Sequence, residues 1–221
     1  MHIEVVDRPE ETGIIRYLLV DGKEESVTYI DNRRNELIYP YWLLVANEME
    51  KINAQSVLLL GGGGFSLPKY YFSRFKNGKM DVVEIDSQIV EIAKTHFFVN
   101  ELIHDFNLDE NKRMTIVISD GSDYIESSSK MYDMVINDAY NAGEMAEDIL
   151  EIACVEQIAA HLVEGGLYII NMFTALEGPK NAIWEKEKAI LDQFFIKSSI
   201  IQVNAEFPQN TRQNCLVIAT K

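Results

Sequence analysis

Four apolar runs in this chain each end on residues able to do chemistry. Val57-Leu58-Leu59-Leu60 runs into Gly61-Gly62-Gly63-Gly64, Val82-Val83 into Glu84-Ile85-Asp86, Ile116-Val117-Ile118 into Ser119-Asp120-Gly121, and Met134-Val135-Ile136-Asn137 into Asp138-Ala139-Tyr140. An apolar run closed by glycines and followed about 20 residues later by an acid is the form of a nucleotide-binding βαβ unit. The glycines allow close backbone approach to a ligand. Glu84 can accept hydrogen bonds from both hydroxyls of a ribose, and Asp120 from the exocyclic amino group of a purine. Asp86 reads equally well as an acid at a helix N-terminus. Asp138, with the Tyr140 hydroxyl close by, could take the proton of an amine or orient its lone pair. The polar stretch Asn141-Ala142-Gly143-Glu144-Met145 reads as a lid or as an ordinary loop.

The nucleotide suggested is not a dinucleotide. The spacing Gly61-x-Gly63-x-x-Ser66 lacks the third glycine of that fingerprint, and the turn carries no basic residue to meet a pyrophosphate. A nucleoside without phosphate suits the acidic rim. An S-adenosyl compound fits, because its sulfonium and amino groups are cationic while its ribose and adenine need acceptors.

Strand and helix signals alternate from Ser56 onward, which points to an α/β fold with a mostly parallel sheet covered by helices. The patterns predict strands over 57–60, 81–85, 114–119, 131–137 and 166–172, and helices over 67–75, 87–97, 149–162 and 182–194. The tail, 200–203 and 214–219, reads as a hairpin whose last strand returns antiparallel into the sheet, making seven strands. In such a sheet ligands sit beyond the carboxyl ends of the strands, where all four chemistry-bearing edges fall. Ahead of this, 14–20 and 26–30 flank Asp21-Gly22 as a β-hairpin, and 37–52 has helical spacing with Pro40 in its first turn. The division expected is 1–53, an N-terminal hairpin and helix, and 54–221, a Rossmann-like catalytic domain.

With 35 acidic and 20 basic residues in 221, the net charge is -15, which repels nucleic acid and anionic lipid and attracts amines. Cys154 and Cys215 lie far apart in apolar surroundings and suit reduced buried thiols, and the four histidines show no metal-ligand spacing. No apolar run approaches the roughly 20 residues needed to span a bilayer, so a cytoplasmic location is expected, with no membrane or nucleic-acid partner and no metal. Trp42 and Tyr41 read as a core aromatic stripe, His96 as a helix end, Lys69 and Arg74 as facing water, and Glu185-Lys186-Glu187-Lys188 as a solvated face.

Taken together, Leu58-Leu59-Leu60-Gly61-Gly62-Gly63-Gly64, Val82-Val83-Glu84-Ile85-Asp86, Ile118-Ser119-Asp120-Gly121 and Tyr132-Asp133-Met134-Val135-Ile136-Asn137-Asp138 resemble the spermidine synthase family of aminopropyltransferases. Leu19-Val20-Asp21-Gly22 and Glu36-Leu37-Ile38-Tyr39 extend the likeness into the N-terminal piece. The resemblance implies a class I methyltransferase fold and transfer of an aminopropyl group from decarboxylated S-adenosylmethionine to a small amine, and it allows a homodimer. It places Gly61, Gly62, Gly63, Gly64, Glu84, Ile85, Asp120 and Gly121 on the donor, Asp138 and Tyr140 on the attacking amine, and Tyr39 and Asn141 in the amine pocket.

The departures are specific. Gly64 stands where the family carries an aspartate for the donor's aminopropyl amine, Asn141 where it carries a second amine-binding aspartate, Pro40 for a histidine and Glu25 for a hairpin glutamine. Loss of the acid at Gly64 would leave room for the carboxylate of intact S-adenosylmethionine. A methyltransferase of the same fold is therefore the rival reading, and a nucleoside-binding module without turnover is a third.

Overall fold

Strand β1 (Ile3–Glu10) pairs antiparallel with β2 (Gly13–Val20), which pairs antiparallel with β3 (Lys23–Tyr29), so the N-terminal piece is a three-stranded sheet. The expected Asp21-Gly22 hairpin is present, both residues having positive φ, at 49° and 78°, as a tight two-residue turn requires. β1 was not expected. Its charged residues mask the alternation, and Pro9 is tolerated because β1 is an edge strand. The computed structural model describes residues 2–141, 144–146 and 148–221, without the side chains of Asn141 and Glu144.

After α1 (Pro40–Lys51), shorter at its start than the predicted 37–52, the chain alternates: β4 (Ser56–Leu60), α2 (Ser66–Arg74), β5 (Lys79–Glu84), α3 (Ser87–His96), α4 (Val99–Asp105), β6 (Met114–Ile118), α5 (Gly121–Ser127) and β7 (Tyr132–Asn137). Two short strands, β8 (Tyr140–Asn141) and β9 (Glu144–Met145), pair with each other. There follow α6 (Ile152–Ala160), β10 (Leu162–Thr174), α7 (Ala182–Phe194), β11 (Lys197–Gln202) and β12 (Gln213–Thr220). The large sheet has the order β11-β12-β10-β7-β4-β5-β6. β10, β7, β4, β5 and β6 are mutually parallel, and β12 runs antiparallel to both neighbours. This is the predicted seven-stranded class I methyltransferase-like sheet.

The predicted helix 149–162 is interrupted. A single 3-10 turn covers Asp148–Leu150, α6 ends at Ala160, and Leu162 already pairs with Tyr132 as the first residue of β10. The His161 ring, with Nδ1 2.7 Å from the Gln157 carbonyl and Nε2 2.8 Å from that of Ser128, sits where the helix closes.

Alternation along the central strands divides the core into two layers. Val57, Leu59, Val82, Met134, Ile136 and Ile169 pack with α1–α4 and with Leu18, Val20 and Val27 of the small sheet. Leu58, Leu60, Val83, Val135, Tyr168 and Ile170 pack under α5–α7. The N-terminal sheet therefore shares one continuous apolar layer with the large sheet. That layer holds β3 and the start of α1 over the strand ends.

Candidate active site

The carboxyl ends of β4–β7 open onto one cleft of about 1140 Å³, ample for a nucleoside and a small amine side by side. It is lined by Gly61, Gly62, Gly63, Glu84, Ile85, Asp120, Gly121, Asp138, Tyr140 and Tyr39, together with Glu24, Glu25 and Ser26 of β3. Ten sequence-predicted residues thus meet in one place. Gly64 does not line it, and the side chain of Asn141, with Ala142 and Gly143, lies outside the described residues.

Glu84 builds the turn beside it. Its Oε2 accepts from the backbone N–H groups of Gly62 at 2.9 Å and Gly63 at 3.0 Å, and its Oε1 from that of Asp86 at 3.1 Å. Gly61 has φ +93°, and a Cβ there would stand 2.4 Å from the Asp138 carbonyl oxygen, so only glycine lets β4 and β7 close side by side at the cleft floor. Asp120 caps α5: its Oδ1 accepts from the Ser122 backbone at 2.8 Å and hydroxyl at 2.6 Å, with Asp123 N–H at 3.4 Å. Burial opposes its ionisation, but these bonds outweigh burial and hold the carboxyl below its usual range. Asp86 caps α3 through the Gln88 N–H at 2.7 Å, so its helix-terminal reading holds. Ile85 is 62% exposed and presents an apolar face at the rim.

Asp138 is a half-buried acid of the cleft whose two carboxylate oxygens are both hydrogen-bonded. Tyr41 donates its hydroxyl to Oδ2 at 3.0 Å, Trp42 its indole N–H to the same oxygen at 3.3 Å, and Asn171 its amide to Oδ1 at 2.8 Å. Burial pushes the Asp138 carboxyl up to about 6, against the lowering pull of these three donors; the charge of Glu25 adds to the rise. The Tyr140 hydroxyl donates to the Asn171 backbone carbonyl at 3.0 Å, and burial raises it above its usual value. Tyr39 stands at the start of α1 with its ring 4.6 Å from that of Trp42.

Sequence reasoning missed Tyr41, Trp42 and Asn171. Only Asn171 carried a sequence signal, since it interrupts the apolar run 167–173; for Trp42 the need of a partner for its indole N–H shows once its burial, 4% exposed, is seen. Two expected solvent-facing groups are instead interior. Lys69 is 1% exposed, donating to the Thr28 hydroxyl at 2.7 Å, and Glu187 is 2% exposed. Arg74 does face water, and His96 is the last residue of α3, the helix end expected of it. Among the described residues no cluster of three His, Cys, Asp or Glu is placed to hold a metal, and no helix is long and apolar enough to cross a membrane.

Residues 36–205 match the spermine/spermidine synthase domain. The chain belongs to that family. A polyamine aminopropyltransferase of Thermoplasma volcanium is 29% identical over 166 residues, covering 75% of this chain and 57% of the relative. The chain thus spans little more than half the length of that relative. Among solved structures, a probable spermidine synthase from Corynebacterium glutamicum superposes with a TM-score of 0.79 at 16% identity, over 99% of this chain and 76% of the other. Human methyltransferase-like protein 13, in complex with SAH, superposes with a TM-score of 0.59 at 21% identity, over 86% of this chain and 82% of the other. The fold is thus shared by both kinds of protein.

Within the family frame, Gly64 is the informative departure. A Cβ there would stand 2.6 Å from Ser26 Oγ and 2.8 Å from a ring carbon of Phe97. The room expected beside Gly64 for a donor carboxylate is filled by β3, which removes the ground on which the sequence favoured intact S-adenosylmethionine.

Proposed function

We propose that this chain transfers an aminopropyl group from decarboxylated S-adenosylmethionine to a small amine. The observation that carries the reading is Asp138: a half-buried carboxylate held, among the described residues, by three neutral donors, in the same cleft as the glycine turn, Glu84 and Asp120. The cradle suits a nucleoside. Glu84 and Asp120 offer carboxylate oxygens, Ile85 an apolar face for a base, and Gly61–Gly63 a bare backbone that a ligand can approach closely. Asn141, following Tyr140 in the chain, belongs with Tyr39 to the amine side of this reading.

The reaction is a displacement. The amine nitrogen forms a bond to the carbon next to sulfur, the carbon–sulfur bond breaks, and its electron pair stays on sulfur as a neutral thioether. The attacking amine must be neutral, so Asp138 takes the proton that leaves it and stabilises the ammonium that forms. Tyr41, Trp42 and Asn171 fix the carboxylate's direction, which supplies the positioning part of the rate. The net charge of -15 favours cationic substrates and disfavours nucleic acid and anionic membranes as partners. Buried thiols at Cys154 and Cys215, pushed up to about 12 and about 11 by burial, suit a reducing cytoplasm.

Incubation with decarboxylated S-adenosylmethionine and a series of diamines and monoamines tests this directly. Methylthioadenosine and an aminopropylated amine are the expected products. Turnover only with the intact donor, or none with any amine, would overturn the reading.

A further inference from the structure

The register of β2 against β3 breaks at one place: Leu18 pairs with Ser26 and Leu19 with Glu24, leaving Glu25 as the extra residue of a β-bulge. A bulge re-aims side chains that strict alternation would send to opposite faces, and such irregularities concentrate beside active sites. Here both Glu24 and Glu25 line the cleft. Glu24 is engaged at the rim by Arg8, at 2.9 Å. Glu25 is half-buried further along the strand.

The same segment lies directly on the glycine turn. The Cβ position of Gly63 is 3.9 Å from the Glu25 carbonyl oxygen, and that of Gly64 is 2.6 Å from Ser26 Oγ. β3 therefore occupies the room an acid at Gly64 would take, and brings its own acid to the next position. The charge of Glu25 is felt by Asp138, Tyr39 and Tyr140, all of which it pushes toward the protonated form. Glu25 lines the same cleft as the glycine turn and Asp138. In the same cleft Asn171, 4% exposed, has its Oδ1 without a partner among the described residues, an acceptor open to an N–H group.

We propose that Glu25, re-aimed by the bulge, binds the ammonium of the donor's aminopropyl chain in place of the acid absent at Gly64. The inference rests on the aminopropyl-transfer reading and adds to it the source of donor selectivity. A carboxylate here attracts the decarboxylated donor, whose chain ends in a lone ammonium, and opposes the carboxylate of the intact donor.

Calorimetry on the wild type, Glu25→Gln and Glu25→Asp separates the possibilities, with methylthioadenosine as the nucleoside that lacks the ammonium. The wild type is expected to bind the decarboxylated donor more tightly than methylthioadenosine. Glu25→Gln should lose about tenfold or more in affinity for that donor and keep its affinity for methylthioadenosine, which also reports an intact fold. Glu25→Asp, with its charge retained, should keep the preference. If Glu25→Gln keeps the wild-type preference, or weakens both ligands alike, the role of Glu25 is overturned while aminopropyl transfer stands. A wild type with no preference and no transfer overturns both.

Discussion

Asn171, within β10, and Asp138, the first residue after the adjacent parallel strand β7, are joined at 2.8 Å, amide to carboxylate. With Tyr41 and Trp42 on the other oxygen, the carboxylate is gripped by the N-terminal segment and the late strand together. The grip has a direct kinetic consequence. Asp138 must be ionised to accept a proton, and its carboxyl sits at about 6, so kcat at saturating amine should rise with pH through that region. Tyr41→Phe removes a donor that favours the ionised form, and should move the acid limb upward by roughly half to one pH unit. A profile flat from pH 5 to 7.5 would remove Asp138 from the chemistry.

Asp138→Asn keeps the shape of the base and loses its proton affinity. Turnover should fall by about 10²–10⁴, while calorimetry finds donor affinity little changed because the cradle of Gly61–Gly63, Glu84 and Asp120 is untouched. An equal loss in donor affinity would mean that Asp138 holds the cradle together instead.

Restoring an acid at Gly64 tests the packing of β3 on the turn. Gly64→Asp forces a Cβ against Ser26 Oγ and the Phe97 ring, and should destabilise the fold by about 1–3 kcal/mol in chemical denaturation. Adding Ser26→Gly should recover part of that loss, because the two side chains compete for one space. Strict additivity of the two changes would show that the clash is relieved elsewhere.

These sites also mark where sequence reasoning reaches and where it stops. The apolar runs of β4, β5, β6 and β7 and the acids after them were legible because a buried parallel strand must be apolar and must end at the ligand edge. α7 matches its expected bounds because its apolar spacing is regular. β1 was hidden by charges tolerable only on an edge strand. Tyr41 and Trp42 were read as core, correctly for their rings, but the destination of a buried O–H or N–H depends on a strand about a hundred residues away. Lys69 and Glu187 were read as solvated because charge usually is; which face of a helix meets the core is a property of the packing.

Lys69 offers a pH signature of that packing. Burial pushes its ammonium down to about 7, from an ordinary value of 10.5, with Arg34 adding to the effect. The unfolded chain therefore binds the proton more readily between those values, and stability should rise as pH increases from 7 toward 10.5. Lys69→Met should flatten that slope in urea titrations and stabilise the protein at pH 7 by about 1–3 kcal/mol, less the lost bond to Thr28. A variant retaining the wild-type slope would place the titration elsewhere.

Glu187 should produce the opposite slope. It projects from α7 into the layer containing Trp184 and Tyr168, its Oε1 has no partner among the described residues, and burial raises its carboxyl from 4.5 to about 7. The folded state thus holds the proton more tightly than the unfolded state. The contribution of Glu187 to stability is full below pH 4.5 and is lost as pH rises through 7. Glu187→Gln keeps the neutral, hydrogen-bonding shape at every pH. It should match the wild type near pH 4.5 and exceed it at pH 8 by on the order of 1–3 kcal/mol, read from denaturation midpoints at the two pH values. Because Glu187 does not line the cleft, the gain should leave kcat/KM unchanged. A loss of stability at pH 8 instead would mean that the ionised carboxylate has a favourable partner when the protein is in solution.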